Sequence, residues 1–449
     1  MDRILLPLAC LLACGLFVSP AFGQHLSRRA NIGIAPGEAE AGGIAVQRVI
    51  PGSTAALAGL QAGDIILSIN DRPTGSPEQL RQARETLRAG LPTTFLLRRQ
   101  GQERSLQAPA QPVPLETSAH SEVIYDEIAF GEGWLRVIVN KPLQSGKHPA
   151  IYFIPGYTCS SVDNLPAIHP YRKLIDSLSG LGYAIVRVEK PGMGDNLNTG
   201  DCQQLGFDNE LAAYRKGYEA IDRYDFIDRE RVFLLGHSMG GVYAPLLGRE
   251  LDEKGIVVYG TVHQTWVEYL LKMVRYQNPL FGHDLAETHD DLHTLYQLLY
   301  EHYYLGKSSK ELYQNPSYRK ILDRDFAFDG EDQILGRHED FWREINRHNY
   351  SEAWRSTGSA VLSIFGEADF EAVDDESHRA IARIVDQAQP GRGTFRLLPR
   401  TDHSMIEVGS MEEAARLRGT PEYRRYLQER FNYEIVTMID HWIQELIED

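Results

Sequence analysis

The sequence lacks a run of basic residues and, beyond its first segment, any long apolar stretch. Lysine and arginine number 46 against 62 acidic residues, for a formal net charge of −16. Because phosphate binding needs a basic patch, we expect no nucleic-acid partner. After residue 18 no segment reaches the roughly 20 apolar residues of a membrane span, so no such span is expected there. With 43% hydrophobic and 24% charged residues, the chain is expected to form ordered globular domains.

The first residues have the pattern of an export signal. A short charged start is followed by an apolar run over residues 4–18 and by AFG at residues 21–23, which fits a small-x-small cleavage site. We therefore expect residues 1–23 to be a signal peptide and the mature protein to be periplasmic or secreted. As an alternative, LLAC at residues 11–14 resembles a lipobox, which would make Cys14 a lipidated N-terminus.

Residues 30–107 combine short strand patterns with one longer helical pattern. Residues 44–49 alternate as a strand, and residues 63–70 form a second strand before a turn. Residues 77–89 carry leucine and alanine at helical spacing, and residues 94–99 form a closing strand. The segment is therefore predicted to be a small separate domain.

This segment closely resembles a bacterial PDZ domain. Ile32-Gly33-Ile34 matches the carboxylate-binding loop of that family, and VIPGSTAALAGLQAGDIILSIN matches its core. The resemblance implies a small β-sandwich or barrel-like domain that binds an extended peptide, usually a C-terminus, by strand addition. Backbone N–H groups of the loop would hold the carboxylate. A domain that serves only as a spacer is the alternative. The prolines that follow predict a semi-rigid linker over residues 108–120.

From residue 121 to residue 449, strand patterns alternate with helical ones. Strands are predicted at residues 122–130, 135–139, 150–154, 183–188, 232–235, 256–259, 360–365 and 394–398, and helices at residues 171–179, 208–223, 239–249, 375–387 and 422–446. This order predicts an α/β domain with a mostly parallel sheet covered on both faces. Between about residues 266 and 350 the alternation is interrupted by an aromatic-rich helical pattern, which we expect to form a lid.

The stretch VFLLGHSMGG, residues 232–241, runs from four apolar residues into a serine between glycines. It contains G-x-S-x-G, a sharp strand-to-helix turn that exposes the serine oxygen above a sheet. Because a predicted strand precedes the motif and a predicted helix follows it, Ser238 is predicted to be a nucleophile rather than a helix cap.

An activated serine needs a histidine base and a carboxylate that orients the base. In the expected chain order of serine, acid and histidine, Asp369 follows one predicted strand and His403 follows the next. The carboxyl ends of parallel strands meet at one edge of a sheet. We therefore predict Ser238, Asp369 and His403 as the catalytic residues.

Other polar residues in these regions offer alternatives. Glu367 shares the loop of the predicted acid, whereas Asp374 and Asp375 stand at a helix start, where acids usually cap. His289 and His293 lie four residues apart on a predicted helix, but no third ligand is evident. We therefore expect neither a metal nor a cofactor.

Residues from about 120 to 449 resemble the α/β-hydrolase superfamily, with Pro155-Gly156 in place of its frequent His-Gly. The resemblance implies an α/β-hydrolase fold with a helical lid insertion. It also implies an oxyanion hole formed by the backbone N–H groups of Met239 and Tyr157.

The same resemblance brings the loops after the third and fourth strands of this domain to one edge of the sheet. Cys159 and Cys202 lie on these loops and are the two cysteines outside the predicted leader, so we predict a disulfide between them. The KPGMGD turn at residues 190–195 matches a structural turn of the superfamily, with a substrate contact by Asp195 as the alternative.

These expectations predict an exported serine hydrolase that cleaves a small-molecule carboxylic ester through an acyl-enzyme and binds a C-terminal peptide through its PDZ domain. A serine peptidase with the same three residues and a non-catalytic PDZ scaffold are the alternatives. If the two domains have separate tasks, removal of residues 24–107 should leave the turnover of a small ester intact.

Overall fold

The computed structural model describes residues 25–448, which form an N-terminal antiparallel-sheet domain and a larger mixed-sheet domain. The predicted signal peptide and the alternative lipidation site at Cys14 lie outside the described residues. In the described part of the chain, no helix is both long enough and apolar enough to cross a membrane.

The N-terminal domain is a six-stranded antiparallel sheet with two helices. Its elements are β1 (Ile34–Glu40), β2 (Gly43–Val49), α1 (Thr54–Ala58), β3 (Ile65–Ile69), β4 (Arg72–Pro73), α2 (Pro77–Glu85), β5 (Pro92–Arg99) and β6 (Gln102–Pro109). The strand order is β1-β2-β3-β5-β6, with β4 paired to β3, so β1 forms one edge. Ser53 and Ser76 begin the two helices, because each side chain accepts the N–H of the third residue after it. The sheet extends to Pro109, into the region predicted as linker.

The C-terminal domain is built on an eight-stranded sheet of order β16-β15-β12-β11-β9-β10-β8-β7. Before the lid its elements are β7 (Ser121–Phe130), β8 (Gly133–Pro142), β9 (His148–Ile154), α3 (Pro170–Gly180), β10 (Ala184–Val188), α4 (Phe207–Glu219), β11 (Ile227–His237), α5 (Met239–Gly248) and β12 (Gly255–Tyr259). β8 runs antiparallel to β7 and β10, and the other neighbouring pairs are parallel. Every residue of β10 and β12 is buried, as expected for strands covered by helices on both faces. The predicted fold class is confirmed.

The lid lies between β12 and the last two strands of the sheet. It contains α6 (Trp266–Leu280), α7 (Leu285–Tyr303), α8 (Ser309–Leu312), α9 (Pro316–Arg324), β13 (Gln333–Ile334), β14 (Arg337–His338), α10 (Glu339–Arg347) and α11 (Tyr350–Arg355). The short β13–β14 hairpin was not expected in a purely helical segment. The rings of Trp266 and Trp342 stack with centroids 4.8 Å apart, which joins the first lid helix to α10.

The chain ends with β15 (Ala360–Gly366), α12 (Glu376–Ala388), β16 (Gly393–Leu398), α13 (Met411–Leu417), α14 (Pro421–Glu429) and α15 (Glu434–Glu448). The prediction of one helix over residues 422–446 was wrong, because the helix is interrupted between α14 and α15. There Phe431 pairs with Ile406 in a β-bridge, and Asn432 Nδ2 donates to Thr401 Oγ1 at 2.7 Å. Helical periodicity does not reveal such tertiary contacts.

An N-terminal arm, residues 25–31, lies against the C-terminal domain before the chain enters β1. The backbone N–H groups of His25 and Leu26 donate to the two oxygens of Glu127 at 2.7 and 2.9 Å. Further along the arm, Arg28 donates to Asp163 and, at 2.8 Å, to Asp195. Both carboxylates are buried. The arm is therefore bound to the C-terminal domain by charged contacts.

Candidate active site

The serine of the G-x-S-x-G motif lies on the turn between β11 and α5. Ser238 has φ 56° and ψ −122°, a conformation that costs energy for a residue with a side chain. Its N–H donates to Tyr259 O at 2.9 Å. The turn needs glycine at position 240, because a Cβ there would lie 2.0 Å from Ile154 O. The sequence therefore holds the Ser238 hydroxyl at the carboxyl edge of the sheet.

The predicted acid and histidine lie next to each other. His403 Nδ1 is 2.9 and 3.0 Å from the two carboxylate oxygens of Asp369, which is fully buried. The same carboxylate accepts the N–H groups of Glu371 and Ala372 at 3.0 and 2.9 Å. Gly260, with φ 62°, leaves room for the pair, because a Cβ there would lie 2.9 Å from His403 Nδ1. The requirement for glycine at this position was not apparent from the sequence.

The alternative acids have other partners. Glu367 accepts the N–H of Arg400 at 2.9 Å, Asp374 pairs with Lys272, and Asp375 pairs with Arg379 at 2.7 Å. Within residues 25–448 there is no group of three or more His, Cys, Asp or Glu side chains that could hold a metal ion, and the His289–His293 pair of α7 belongs to no such group.

The buried pair shifts the pKa values of both its members. Burial alone would raise the pKa of Asp369, but the charge and hydrogen bonds of His403 and its neighbours lower it below its usual value. Burial alone would lower the pKa of His403, but the charges of Asp369 and Glu371 outweigh burial and raise that pKa to about 9. Ser238 and His403 line one small cavity of about 60 Å³. Among the described residues, Ser238 Oγ has no hydrogen-bond partner.

The two residues predicted as oxyanion donors, Met239 and Tyr157, line the small cavity together with Ser238. Met239 is the first residue of α5, so its N–H has no acceptor within that helix. The N–H of Tyr157 makes no hydrogen bond with any described residue. A Cβ on Gly156 would lie 3.3 Å from Ser238 Cβ, so the loop of residues 155–159 closely approaches the serine. Two N–H groups in such positions can stabilise an oxyanion.

Buried cations hold the carbonyl groups of the 155–159 loop. Lys190 Nζ donates to Gly156 O and, at 3.0 Å, to Thr158 O. Arg337 of the lid donates to Tyr157 O at 2.9 Å. Burial lowers the pKa of Lys190 to about 8. Sequence analysis gave this lysine no role, although it lies two residues after a strand predicted to be buried, a signal that could have been used.

A hydrogen-bond chain connects the loop, the serine turn and the histidine. The N–H of Gly156 donates to Tyr171 Oη at 3.1 Å, and this oxygen lies 2.6 Å from His237 Nδ1. His237 Nε2 lies 2.8 Å from His403 O. Because a carbonyl can only accept, His237 donates from Nε2 and accepts from Tyr171 at Nδ1. Burial lowers the pKa of His237 to about 3, in agreement with a neutral ring.

Cys159 and Cys202 form a disulfide in the structure, across 43 residues. The bond joins the 155–159 loop to the segment that follows the KPGMGD turn at residues 190–195. Within that turn, Asp195 is buried and pairs with Arg28 of the N-terminal arm. Asp195 therefore holds the arm and does not line the cavity at the serine.

A larger cavity of about 440 Å³ lies beside the small one and shares four lining residues with it. These shared residues are Tyr157, Trp266, Tyr269 and Glu371. Phe281 and Trp342 add further aromatic surface, and the polar lining includes Asn278 and Arg418. The lid thus supplies most of the wall of the cavity in front of the serine.

The predicted carboxylate loop of the N-terminal domain lies beside an edge strand. Ile32 is buried in the core of that domain, and Ile34 is the first residue of β1. Gly33 has φ 71°, and a Cβ there would lie 1.9 Å from Ser53 Cβ. Among the described residues, the N–H groups of Ile32 and Gly33 have no acceptor.

Comparison with protein families gives two matches on this chain. The alpha/beta hydrolase family model matches residues 151–417, more than half of the chain. The chain belongs to the alpha/beta hydrolase family. A PDZ domain model matches residues 46–99, so this hydrolase carries an N-terminal PDZ domain. No curated protein sequence matches the chain.

Three solved structures to which the chain is similar have low sequence identity with it. Est1E from Butyrivibrio proteoclasticus is 14% identical, with 73% of this chain and 100% of that chain covered and a TM-score of 0.43. The esterase domain of a Rhodothermus marinus protein is 15% identical, with 68% and 98% covered and a TM-score of 0.39. Acylaminoacyl peptidase from Pyrococcus horikoshii is 16% identical, with 75% and 45% covered and a TM-score of 0.41.

Proposed function

We propose that the chain is an exported serine hydrolase that cleaves a carboxylic ester through an acyl-enzyme. The observation that carries the proposal is the contact of His403 Nδ1 with both oxygens of Asp369, beside Ser238 on its strained turn. Activation of a serine requires a histidine base that a carboxylate orients in this way. The disulfide is typical of an oxidising compartment and supports export.

In the proposed reaction, Ser238 Oγ attacks the carbonyl carbon of the ester while neutral His403 takes its proton at Nε2. Asp369 keeps the proton on Nδ1 and stabilises the imidazolium that forms. The N–H groups of Met239 and Tyr157 bind the oxyanion. The imidazolium then donates its proton to the leaving alcohol. A water molecule, deprotonated by the same histidine, releases the acid and restores the serine.

The PDZ domain is proposed to bind the C-terminus of a protein or peptide. The unbonded N–H groups of Ile32 and Gly33 can donate to a carboxylate, and the edge strand β1 can add a peptide strand beside Ile34. This domain also favours a second candidate, a serine peptidase, because it offers a site for polypeptides. Rates on matched esters and amides distinguish the two, since a peptidase prefers the amide set.

Labelling with a fluorophosphonate tests the nucleophile. The folded protein should be labelled at Ser238, and Ser238→Ala should lose about 10⁴-fold or more in kcat because the three residues act as a unit. Asp369→Asn should also lose activity, with Asp374→Asn as its matched control. Near-normal turnover by Ser238→Ala contradicts the proposal, and a folded protein that takes no label would be a PDZ scaffold.

A further inference from the structure

A carboxylate outside the proposed catalytic set faces the histidine. Glu371 lies two residues after Asp369, and its Oε2 is 3.6 Å from His403 Nε2, the ring nitrogen that Asp369 does not hold. Its Oε1 is 3.6 Å from Arg418 Nη1. Among the described residues, no donor makes a hydrogen bond to either carboxylate oxygen of Glu371. The carboxylate therefore has neighbouring positive charge and open acceptor positions.

The main chain at Glu371 is held on both sides. Its N–H donates to Asp369 Oδ1 at 3.0 Å, and its C=O accepts the hydroxyl of Tyr269 at 2.9 Å. The first contact belongs to the proposed acid and the second to the lid helix α6. Since the side chain is still 36% exposed, Glu371 presents a carboxylate to the cavities from a fixed position.

The surroundings of this carboxylate are suited to a cation. Tyr157, Trp266 and Tyr269 line both cavities together with Glu371. Aromatic faces attract ammonium groups, and a carboxylate adds a charged acceptor. On the wall of the larger cavity, Asn278 is 6% exposed and its Nδ2 has no hydrogen-bond partner among the described residues, which leaves a donor for a substrate carbonyl.

We propose that Glu371 determines the specificity of the enzyme for substrates that carry an ammonium group next to the scissile carbonyl, as aminoacyl esters and amides do. The inference rests on the proposed function and names its substrate class. The ammonium would bind the Glu371 carboxylate among the aromatic rings, while Ser238 attacks the adjacent carbonyl carbon.

Substrate charge would also act on the proposed base. In the free enzyme, the charges of Asp369 and Glu371 favour the protonated form of His403, which cannot accept a proton from Ser238. An ammonium at Glu371 neutralises one of these charges and favours the neutral imidazole. Other ionisable or charged groups surround His403 and Glu371 in the described part of the chain. They include Asp369 and Asp402 on the neighbouring loops, His237 at the end of β11, His378 on α12, Arg418 after α13, and the phenols of Tyr157 and Tyr269.

The test compares two esters of the same shape, the 4-nitrophenyl esters of alanine and of 2-methylpropanoic acid, which differ by an ammonium in place of a methyl group. Because loss of a charge-assisted hydrogen bond weakens binding about tenfold or more, Glu371→Gln should lower the alanine-to-methylpropanoate ratio of kcat/KM by at least about that factor at pH 6.5. In the same variant, the pH midpoint of kcat/KM for the neutral ester should fall. Glu376→Gln, which removes a carboxylate bonded to Lys272, is the control and should change neither value.

An equal change on both esters, or no change in their ratio, would overturn the inference. A second measurement is independent of turnover. Calorimetry should show that Ser238→Ala binds alanine amide and that Ser238→Ala/Glu371→Gln binds it about tenfold more weakly. Equal binding by the two variants also overturns the inference. If the fluorophosphonate fails to label the wild-type protein while this binding difference persists, the proposed function fails and the ammonium site stands.

Discussion

The contact between the N-terminal arm and the hydrolase domain predicts a large loss of stability when Arg28 is truncated. Its guanidinium binds Asp163 and Asp195 through Nη1, and its Nε and Nη2 donate to Val113 O and Pro114 O at 3.0 and 2.8 Å. The Arg28 side chain is 11% exposed, and the two carboxylates are 1% and 0% exposed. Arg28→Ala would therefore leave two buried carboxylates without their shared cation.

Removal of one partner from a buried ion pair costs about 3–5 kcal/mol. The lower end applies here, because Asp195 keeps Arg136 at 3.3 Å and the N–H of Arg29 at 2.7 Å. We therefore expect Arg28→Ala to lower the free energy of unfolding by about 3 kcal/mol, a large share of the roughly 5–15 kcal/mol of a typical domain. Urea unfolding followed by circular dichroism measures this change.

Arg81→Ala provides a matched control. Arg81 pairs with Glu78 and Glu85 on the surface of α2, and its side chain is 32% exposed, so its removal should cost about 0–1 kcal/mol. The double variant Arg28→Ala/Asp163→Asn should lose less than the sum of the single losses, since it no longer buries that unpaired carboxylate. An Arg28→Ala protein within about 0.5 kcal/mol of wild type would refute the reasoning, because surface substitutions vary by that much.

Three further predictions concern the site and the PDZ domain. Tyr171→Phe removes the hydroxyl that connects Gly156 to His237. It should lower kcat about tenfold, which corresponds to one lost hydrogen bond of about 1.4 kcal/mol, with little change in melting temperature. An unchanged kcat in an ester assay contradicts this prediction. His403 must be neutral to act as a base, so kcat/KM for a neutral ester should rise with pH, with the midpoint of the rise near pH 9. A midpoint near 6.5 in the pH–rate profile would show that the two carboxylates do not raise the pKa of His403. Replacement of residues 32–110 by two glycines should be tolerated, because the N–H of Asn31 donates to Gln111 O at 2.7 Å and the two ends are therefore close. This variant should keep kcat on a small ester within a few-fold of wild type and lose C-terminal peptide binding in pull-down. A loss of kcat as complete as that of Ser238→Ala would instead assign the PDZ domain to the catalytic site.

Local sequence patterns predicted the sheet of the hydrolase domain well. All eight of its predicted strands are present. Buried parallel strands such as β12 and β15 consist of short apolar runs that few other structures share. The turn at Ser238 was predictable for a related reason, since its crowded backbone requires two glycines at fixed positions: a Cβ on Gly236 would meet Gly240 O, and one on Gly240 would meet Ile154 O. In the PDZ domain β6 was missed, because its residues are mostly exposed and show no apolar alternation.

The groups that surround the proposed catalytic residues could not be predicted in this way. Lys190, Tyr171 and Arg337 reach the 155–159 loop from a strand end, a helix and the lid, and no local pattern connects them. Sequence analysis gave Glu371 no role, although it lies only two residues after Asp369. The role proposed for Glu371 depends on the position of its side chain relative to His403, which only the folded structure gives.

The arm also shows why the two domains are not simply separable at the boundary that the sequence suggests. A truncation of residues 24–107 removes Arg28 together with the PDZ domain. It would therefore lower the free energy of unfolding of the hydrolase domain in the same way as Arg28→Ala. The segment after β10 binds the arm through Asp195 and the 155–159 loop through Lys190, five residues earlier in the chain. Loss of activity in that truncation would therefore reflect a disturbed 155–159 loop as readily as a catalytic role of the PDZ domain. Excision of residues 32–110, which keeps residues 25–31, separates these causes. It removes β1, the strand proposed to bind a peptide, and leaves every contact of Asp195 with the arm in place.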